Sequence, residues 1–243
     1  MKTTRLIVLL IATIFMLNAC SDDNSPGGSS NNNGGGNNSG GCAGGPTTVT
    51  DIDGNVYNVV SIGNQCWTKE NLKVSKYRNG DPIPTNPNNN TWQNTTSGAY
   101  GIYNNTNSNN SIYGKLYNWY AVVDPRELCP TGWHVPSESE WSTLSTYLGG
   151  DLISGGAMKE AGLTHWASPN TDATNSSGFT GLPGGYIKNG GSYFGIGEYG
   201  SWWSSTQDAT ASAWACGLYY FEGMVSTYAI DKRYGYSVRC VRD

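Results

Sequence analysis

Residues 21–46 read SDDNSPGGSSNNNGGGNNSGGCAGGP. This stretch has almost no apolar side chain to bury, so nothing offsets the entropy lost on ordering it. Whatever folds stably must therefore lie in residues 47–243, a usual size for one domain. A Gly/Ser-type coil of this length spans about 28 Å on average, from roughly 5–6 Å × √n. The expected organisation is a leader over 1–19, a flexible segment over 20–46 and a folded domain over 47–243.

The leader has its own pattern. Lys2 and Arg5 precede an apolar run over 6–17. That run is about a dozen residues, short of the roughly 20 needed to span a bilayer, so it reads as a signal peptide. It closes on Leu17-Asn-Ala-Cys20, which resembles the lipobox of bacterial lipoproteins. The resemblance implies that Cys20 is lipidated and becomes the first mature residue, anchoring the chain in a membrane. An ordinary secreted protein cut beside a cysteine is the alternative. Asp22 and Asp23 resemble the acidic export signal of some Bacteroidetes lipoproteins. That implies an outer-membrane anchor exposed at the cell surface; a merely solvated linker start is the alternative.

Charge narrows the partners. Two of the fourteen basic residues and none of the eighteen acidic ones precede Cys20, leaving twelve against eighteen, a net charge of −6. An acidic chain without a basic cluster argues against nucleic acid, whose phosphates need Lys and Arg to replace counterions. Residues 47–243 are poor in charge and aliphatics but rich in Trp, Tyr, Gly and Asn. This suggests many turns around an aromatic core, with little helix. Five cysteines follow Cys20: Cys42, Cys66, Cys129, Cys216 and Cys240. Export permits disulfides, and the odd number leaves at least one cysteine unpaired within the chain.

Alternation of β-formers around Asp53-Gly54-Asn55 and Gly63-Asn64 predicts strands near 48–51, 56–62 and 65–68. Asp51, Asp53 and Asn55 suggest a calcium loop, but its sixth and twelfth positions would be Val56 and Ile62, so a turn is expected. Residues 79–112 read as a long Asn-rich loop. Ser137 and Glu140 form a capping box, with Trp141, Leu144 and Leu148 on one face of a helix that Gly149-Gly150 ends. Glu138 and Glu140 suit that helix N-terminus better than acid/base work. A weaker helix is expected near 154–161, and strand-like segments at 184–186, 202–205, 213–220 and 236–241. One or two helices among many short antiparallel strands make an α+β domain.

Seven segments then occur in one order: Asp53-Gly-Asn-Val-Tyr57; Ile62-Gly-Asn-Gln-Cys-Trp67 with Glu70-Asn-Leu72; Tyr113-Gly-Lys-Leu-Tyr-Asn-Trp-Tyr-Ala121; Cys129-Pro-Thr-Gly-Trp-His-Val-Pro136; Leu182-Pro-Gly-Gly-Tyr186; Trp202-Trp-Ser-Ser-Thr206; and Tyr236-Ser-Val-Arg-Cys-Val-Arg-Asp243. Together they resemble the Fibrobacter succinogenes major paralogous (FISUMP) domain family over 47–243. That family is similar to the C-type lectin-like fold, particularly its formylglycine-generating-enzyme branch. The resemblance implies a Cys129–Cys240 disulfide, with Cys42–Cys66 as a plausible second pair and Cys216 left over.

Chemistry is not announced. His134, between Trp133 and Val135, reads as packed and structural, and His165 has no companion at metal-ligand spacing. No Ser/His/Asp set and no phosphate loop is evident. The calcium motifs of sugar-binding lectins are absent from the sequence. No catalytic residue, metal site or cofactor is therefore expected. The expected role is binding of an extracellular glycan or protein through Trp203, Tyr219, Phe221, Glu222 and Tyr228. Trp202, Trp203 and Trp214 also fit a core or half-core role, and 221–228 a loop or edge. Asn occurs 26 times in 1–189 and never in 190–243, a shift that marks the late stretch as a candidate ligand face. The rivals are an oxidase of the formylglycine-generating type, using Cys216 and Cys240 with copper, and a purely structural envelope protein.

Overall fold

The computed structural model describes residues 42, 44–85 and 89–243. Cys20, the leader and most of the Gly/Asn segment lie outside the described residues. Among the described residues no helix is long and apolar enough to cross a membrane.

The first hairpins follow the sequence closely. β1 is Thr48–Thr50, β2 Val56–Ile62 and β3 Gln65–Thr68. The turn between β1 and β2 is organised by Asp51. Its Oδ1 accepts from the amides of Asp53 and Asn55, and its Oδ2 accepts from the Asn55 side chain and the Tyr57 hydroxyl. The carboxylate is thus used up as turn scaffolding, as the sequence pattern implied.

The Asn-rich stretch carries more structure than its composition suggests. It holds α1 (Asn89–Asn94), β4 (Tyr100–Gly101), a 3-10 turn at Tyr103–Asn105 and α2 (Asn107–Tyr113). Asparagine is a weak helix former, so tertiary contacts must supply the order. In α1 this is Trp92, fully buried, with its indole N–H donating to Arg233 O at 2.7 Å. β5 (Leu116–Tyr117), α3 (Trp119–Val122) and β6 (Trp133–His134) follow.

α4 (Glu138–Tyr147) starts on the expected capping box. Ser137 Oγ accepts from the Glu140 amide, and Glu140 reaches back to the Ser137 amide. Trp141 and Leu144 are buried on its inner face, and its C-cap is Leu148, just before Gly149-Gly150. α5 is Asp151–Met158, starting three residues before the expected 154. The remaining strands are β7 (Gly184–Ile187), β8 (Tyr193–Ile196), β9 (Tyr199–Gln207), β10 (Ser212–Tyr219), β11 (Val225–Asp231) and β12 (Val241–Arg242). Expected strand 236–241 is mostly extended chain. It makes single bridges to Tyr117 and Trp202, and only its end enters a ladder.

Every ladder is antiparallel. One sheet has the order β1-β2-β3-β12-β6 and another β11-β10-β9. Mostly antiparallel sheet with few helices makes the domain α+β.

The β9–β11 sheet separates two cores, because alternate residues face opposite ways. Trp202, Cys216, Leu218 and Val225 pack with Trp141 and Leu144 of α4 and Met158 of α5. Trp203, Ala213 and Ala215 pack on the other side with Tyr236 and Val238. Two disulfides staple the frame, Cys42–Cys66 and Cys129–Cys240. Among the described residues Cys216 is the free cysteine, and it is buried. Arg239, also fully buried, donates to Asn71 Oδ1, Thr68 O, Phe179 O and Thr180 O, and its guanidinium lies 4.4 Å from the Phe179 ring centroid.

Candidate functional site

The side of the β9–β11 sheet that holds Trp203 continues outward as a string of aromatic rings. It begins in the core, where Trp203 and Tyr236 lie 4.8 Å apart. Tyr236 meets Tyr186 of β7 at 5.7 Å. Tyr186 is the hub, touching Phe194 of β8, Tyr199 of β9 and Tyr234. Tyr199 meets its cross-strand partner Tyr219 at 5.3 Å, and Tyr219 stacks on Phe221 at 5.7 Å with planes 19° apart. Burial falls along the string, from Trp203 at 0% exposure to Phe194 at 40% and Phe221 at 50%.

Two glycines make room for these rings. A Cβ on Gly217 would sit 2.7 Å from Tyr219 Oη and 3.0 Å from Tyr228 Cε1. Gly195 has φ +74, and a Cβ there would stand 2.3 Å from the Tyr199 ring. Under the rim lies a patch of hydroxyls. Tyr228 Oη is 3.3 Å from Ser201 Oγ and neighbours the hydroxyls of Tyr219 and Tyr236. Burial first, then the neighbouring Tyr228, pushes the Tyr219 hydroxyl well above the usual tyrosine range. Burial, then Tyr236, does the same for Tyr228. These phenols therefore stay protonated at neutral pH, as donors and acceptors for a polar ligand.

The five expected ligand contacts do not all fall on this surface. Tyr219 and Phe221 do, stacked together. Trp203 does not: it is fully buried, and its indole donates to Tyr117 O at 2.7 Å. Its position on β9 turns it into the core side of the same ring string, so its assignment as a contact is corrected. Tyr228 is half-buried on β11, an edge strand of its sheet, and forms part of the floor. Glu222 is half-buried in the turn after β10. Tyr186, Phe194 and Tyr199 join the face without having been named as ligand contacts from the sequence. Their signal was the Gly-rich 184–200 stretch with aromatic residues spaced through it.

The turn that carries Phe221 is held from inside. The Lys159 side chain, at the C-cap of α5, is fully buried and donates to Thr171 O (2.7 Å), Tyr219 O (3.0 Å) and Glu222 O (2.7 Å). Burial pulls its pKa down to about 8, against the favourable charges of Asp172 and Glu222.

Elsewhere, an open groove of about 320 Å³ is lined in part by Arg78, Asp124, His134 and Ser205. Its best donors are already engaged. Arg78 donates to Cys129 O, Pro130 O and Trp133 O. His134 holds Asp243 through Nδ1 (2.6 Å) and Glu140 through Nε2 (2.8 Å). It thus bridges two carboxylates at the surface and is not enclosed by packing. His165 pairs with Glu160 at 2.8 Å. Cys240 lies in a disulfide, and burial raises the Cys216 thiol far above its ordinary value. Among the described residues no group of three or more His, Cys, Asp or Glu side chains converges as for a metal ion.

The frame that holds this face has a known pattern: the model of the Fibrobacter succinogenes major domain matches residues 60–242. The chain belongs to that family. The matched span of this major domain runs from within β2 into β12 and so contains every ring of the aromatic face. No curated protein and no solved structure matches the chain.

Proposed function

We propose that this major-domain protein is a cell-envelope lipoprotein whose head binds an extracellular glycan or protein ligand. The observation that carries this is the graded aromatic string ending in Tyr219, Phe221 and Phe194 at the surface. Rings of this kind stack on sugar faces and anchor protein interfaces because they bury much area at little conformational cost. The hydroxyl floor beneath them adds polar partners. A lectin-like frame is supported by the capped α4 and by a disulfide from Cys129 to Cys240 beside the closing strand. The lipobox at Cys20 and the Asp22-Asp23 pair support an outer-membrane, surface-exposed anchor. No enzymatic activity is proposed. The oxidase alternative needs two available late cysteines, whereas Cys240 is bridged and Cys216 is enclosed.

The test is a glycan array and a surface pull-down with the secreted Cys20→Ser chain, alongside Tyr219→Ala and Phe221→Ala. Binding that both substitutions weaken at least tenfold is expected. No binding in either format, or binding indifferent to both substitutions, would count against the reading. Metabolic labelling with palmitate tests the anchor, and its loss in Cys20→Ser is expected.

A further inference from the structure

Lysine is rarely fully buried, and when it is, its ammonium needs partners. Lys159 has no carboxylate in contact. Instead its three protons meet three backbone carbonyls, of Thr171, Tyr219 and Glu222, which is the whole donor capacity of an ammonium. The Trp166 ring centroid lies 5.6 Å away. Two of the three carbonyls flank Phe221 in sequence. The neighbouring carbonyls turn inward as well: Tyr220 O accepts from the Thr171 amide and Gly223 O from the Gly156 amide. With residues 219, 220, 222 and 223 all bonded toward the body, Phe221 is left half exposed, stacked on Tyr219.

The geometry points to Lys159 as a tethered internal cation that positions the aromatic face by locking the 219–224 turn. Its donors matter, and not only its bulk. Without the amine the Thr171 and Glu222 carbonyls would lose these bonds and Tyr219 O would keep only the 3.5 Å approach of the Glu222 amide, so the turn would open. Breaking the set should raise local opening about tenfold or more, the effect of one charge-assisted hydrogen bond. The link from this turn to ligand binding rests on the function proposed above. The lock itself does not, so the two are tested apart.

The turn supplies its own assay, because Tyr219, Tyr220 and Phe221 are consecutive chymotrypsin sites. Wild-type protein is expected to resist cleavage there, and Lys159→Met, which keeps the chain length without the charge, to be cut at least tenfold faster at unchanged near-UV circular dichroism. Ethylammonium added to Lys159→Ala is expected to restore resistance, whereas ethanol, similar in size but uncharged and with a single donor, is not. Rescue by both equally would show a packing role and overturn the proposal, as would a Lys159→Met turn as resistant as wild type. Should neither variant fold, hydrogen exchange of the wild-type protein decides. Protection of the Thr171 and Gly156 amides, which donate to Tyr220 O and Gly223 O, comparable to that of β10 is expected, and exchange of both at exposed-loop rates would overturn the lock.

Discussion

Replacing Arg239 with methionine should be among the most damaging single changes in this domain. The guanidinium is fully buried and joins three separate segments: the end of β3 at Thr68, the Asn71 side chain, and the 179–180 loop. Methionine fills much of the volume but donates nothing. Asn71 Oδ1 would keep a donor, because the Trp202 indole also reaches it at 2.8 Å. Thr68 O, Phe179 O and Thr180 O would each lose the Arg239 bond. An orphaned buried carbonyl costs about 1–3 kcal/mol, and relief from burying an unpaired charge offsets part of the sum. Three such carbonyls, less that relief, leave an expected loss of about 3–5 kcal/mol. For a domain of this size that lowers Tm by about 10–15 °C. Guanidinium unfolding of the oxidised protein, followed by tryptophan fluorescence, measures it directly. Arg239→Lys serves as the control, since it keeps the charge but not the planar fork, and should lose less. A loss below about 1 kcal/mol in Arg239→Met would refute the idea that this brace holds the three segments together.

Other expectations concern pH and covalent links. The folded-state pKa of Lys159 is lowered to about 8. Above that pH the unfolded chain still holds a proton the fold has released, so this group's contribution to stability rises between about pH 8 and 10. Denaturation midpoints across that window should show the rise in wild type and a flatter profile in Lys159→Met. At His134, burial lowers the pKa, but hydrogen bonds to Asp243 and Glu140 outweigh it and the net shift is upward. Its stabilisation is then complete below about pH 6.5 and lost as pH rises through the folded value. A His134→Gln protein should lack this small slope. Removing the Cys42–Cys66 pair should cost about 3 kcal/mol and the Cys129–Cys240 pair nearer 5, because the second closes a loop of 111 residues against 24. Equal losses for the two double serine variants would show that loop closure is not what these bonds contribute.

The parts that were legible in the sequence are those in which local chemistry and tertiary structure agree. Alternation around Gly54 and Gly63 placed β1, β2 and β3. The Ser137–Glu140 box placed the start of α4. β11 was harder to see, because Val225-Ser-Thr-Tyr-Ala-Ile-Asp231 mixes small and polar residues and is introduced by a turn held from inside by Lys159. The sequence marks 221–228 as loop or edge, but nothing local to it announces what holds the turn from inside. Lys159 itself, after an apolar helix, looks like an ordinary solvated cation near a C-terminus. Only the return of two distant loops encloses it. Trp203 failed as a ligand contact for a related reason. Adjacent tryptophans on one strand face opposite sides, and in a sheet covered on both sides the two are buried alike.

The Cys42–Cys66 bond also decides where a mechanical load enters the domain. β1 is an edge strand of its sheet, and a pull on an edge strand from its end can peel it away one bond pair at a time. The disulfide instead hands the tension at residue 42 to Cys66 in β3, the middle strand of five. Residues 43–65, with β1 and β2 among them, are bypassed. Without the bond they would pay out about 80 Å of chain, at roughly 3.3–3.6 Å per residue. With it, a drag force that arrives along the N-terminal segment meets the interior of the sheet first, and the edge strand carries none of the load.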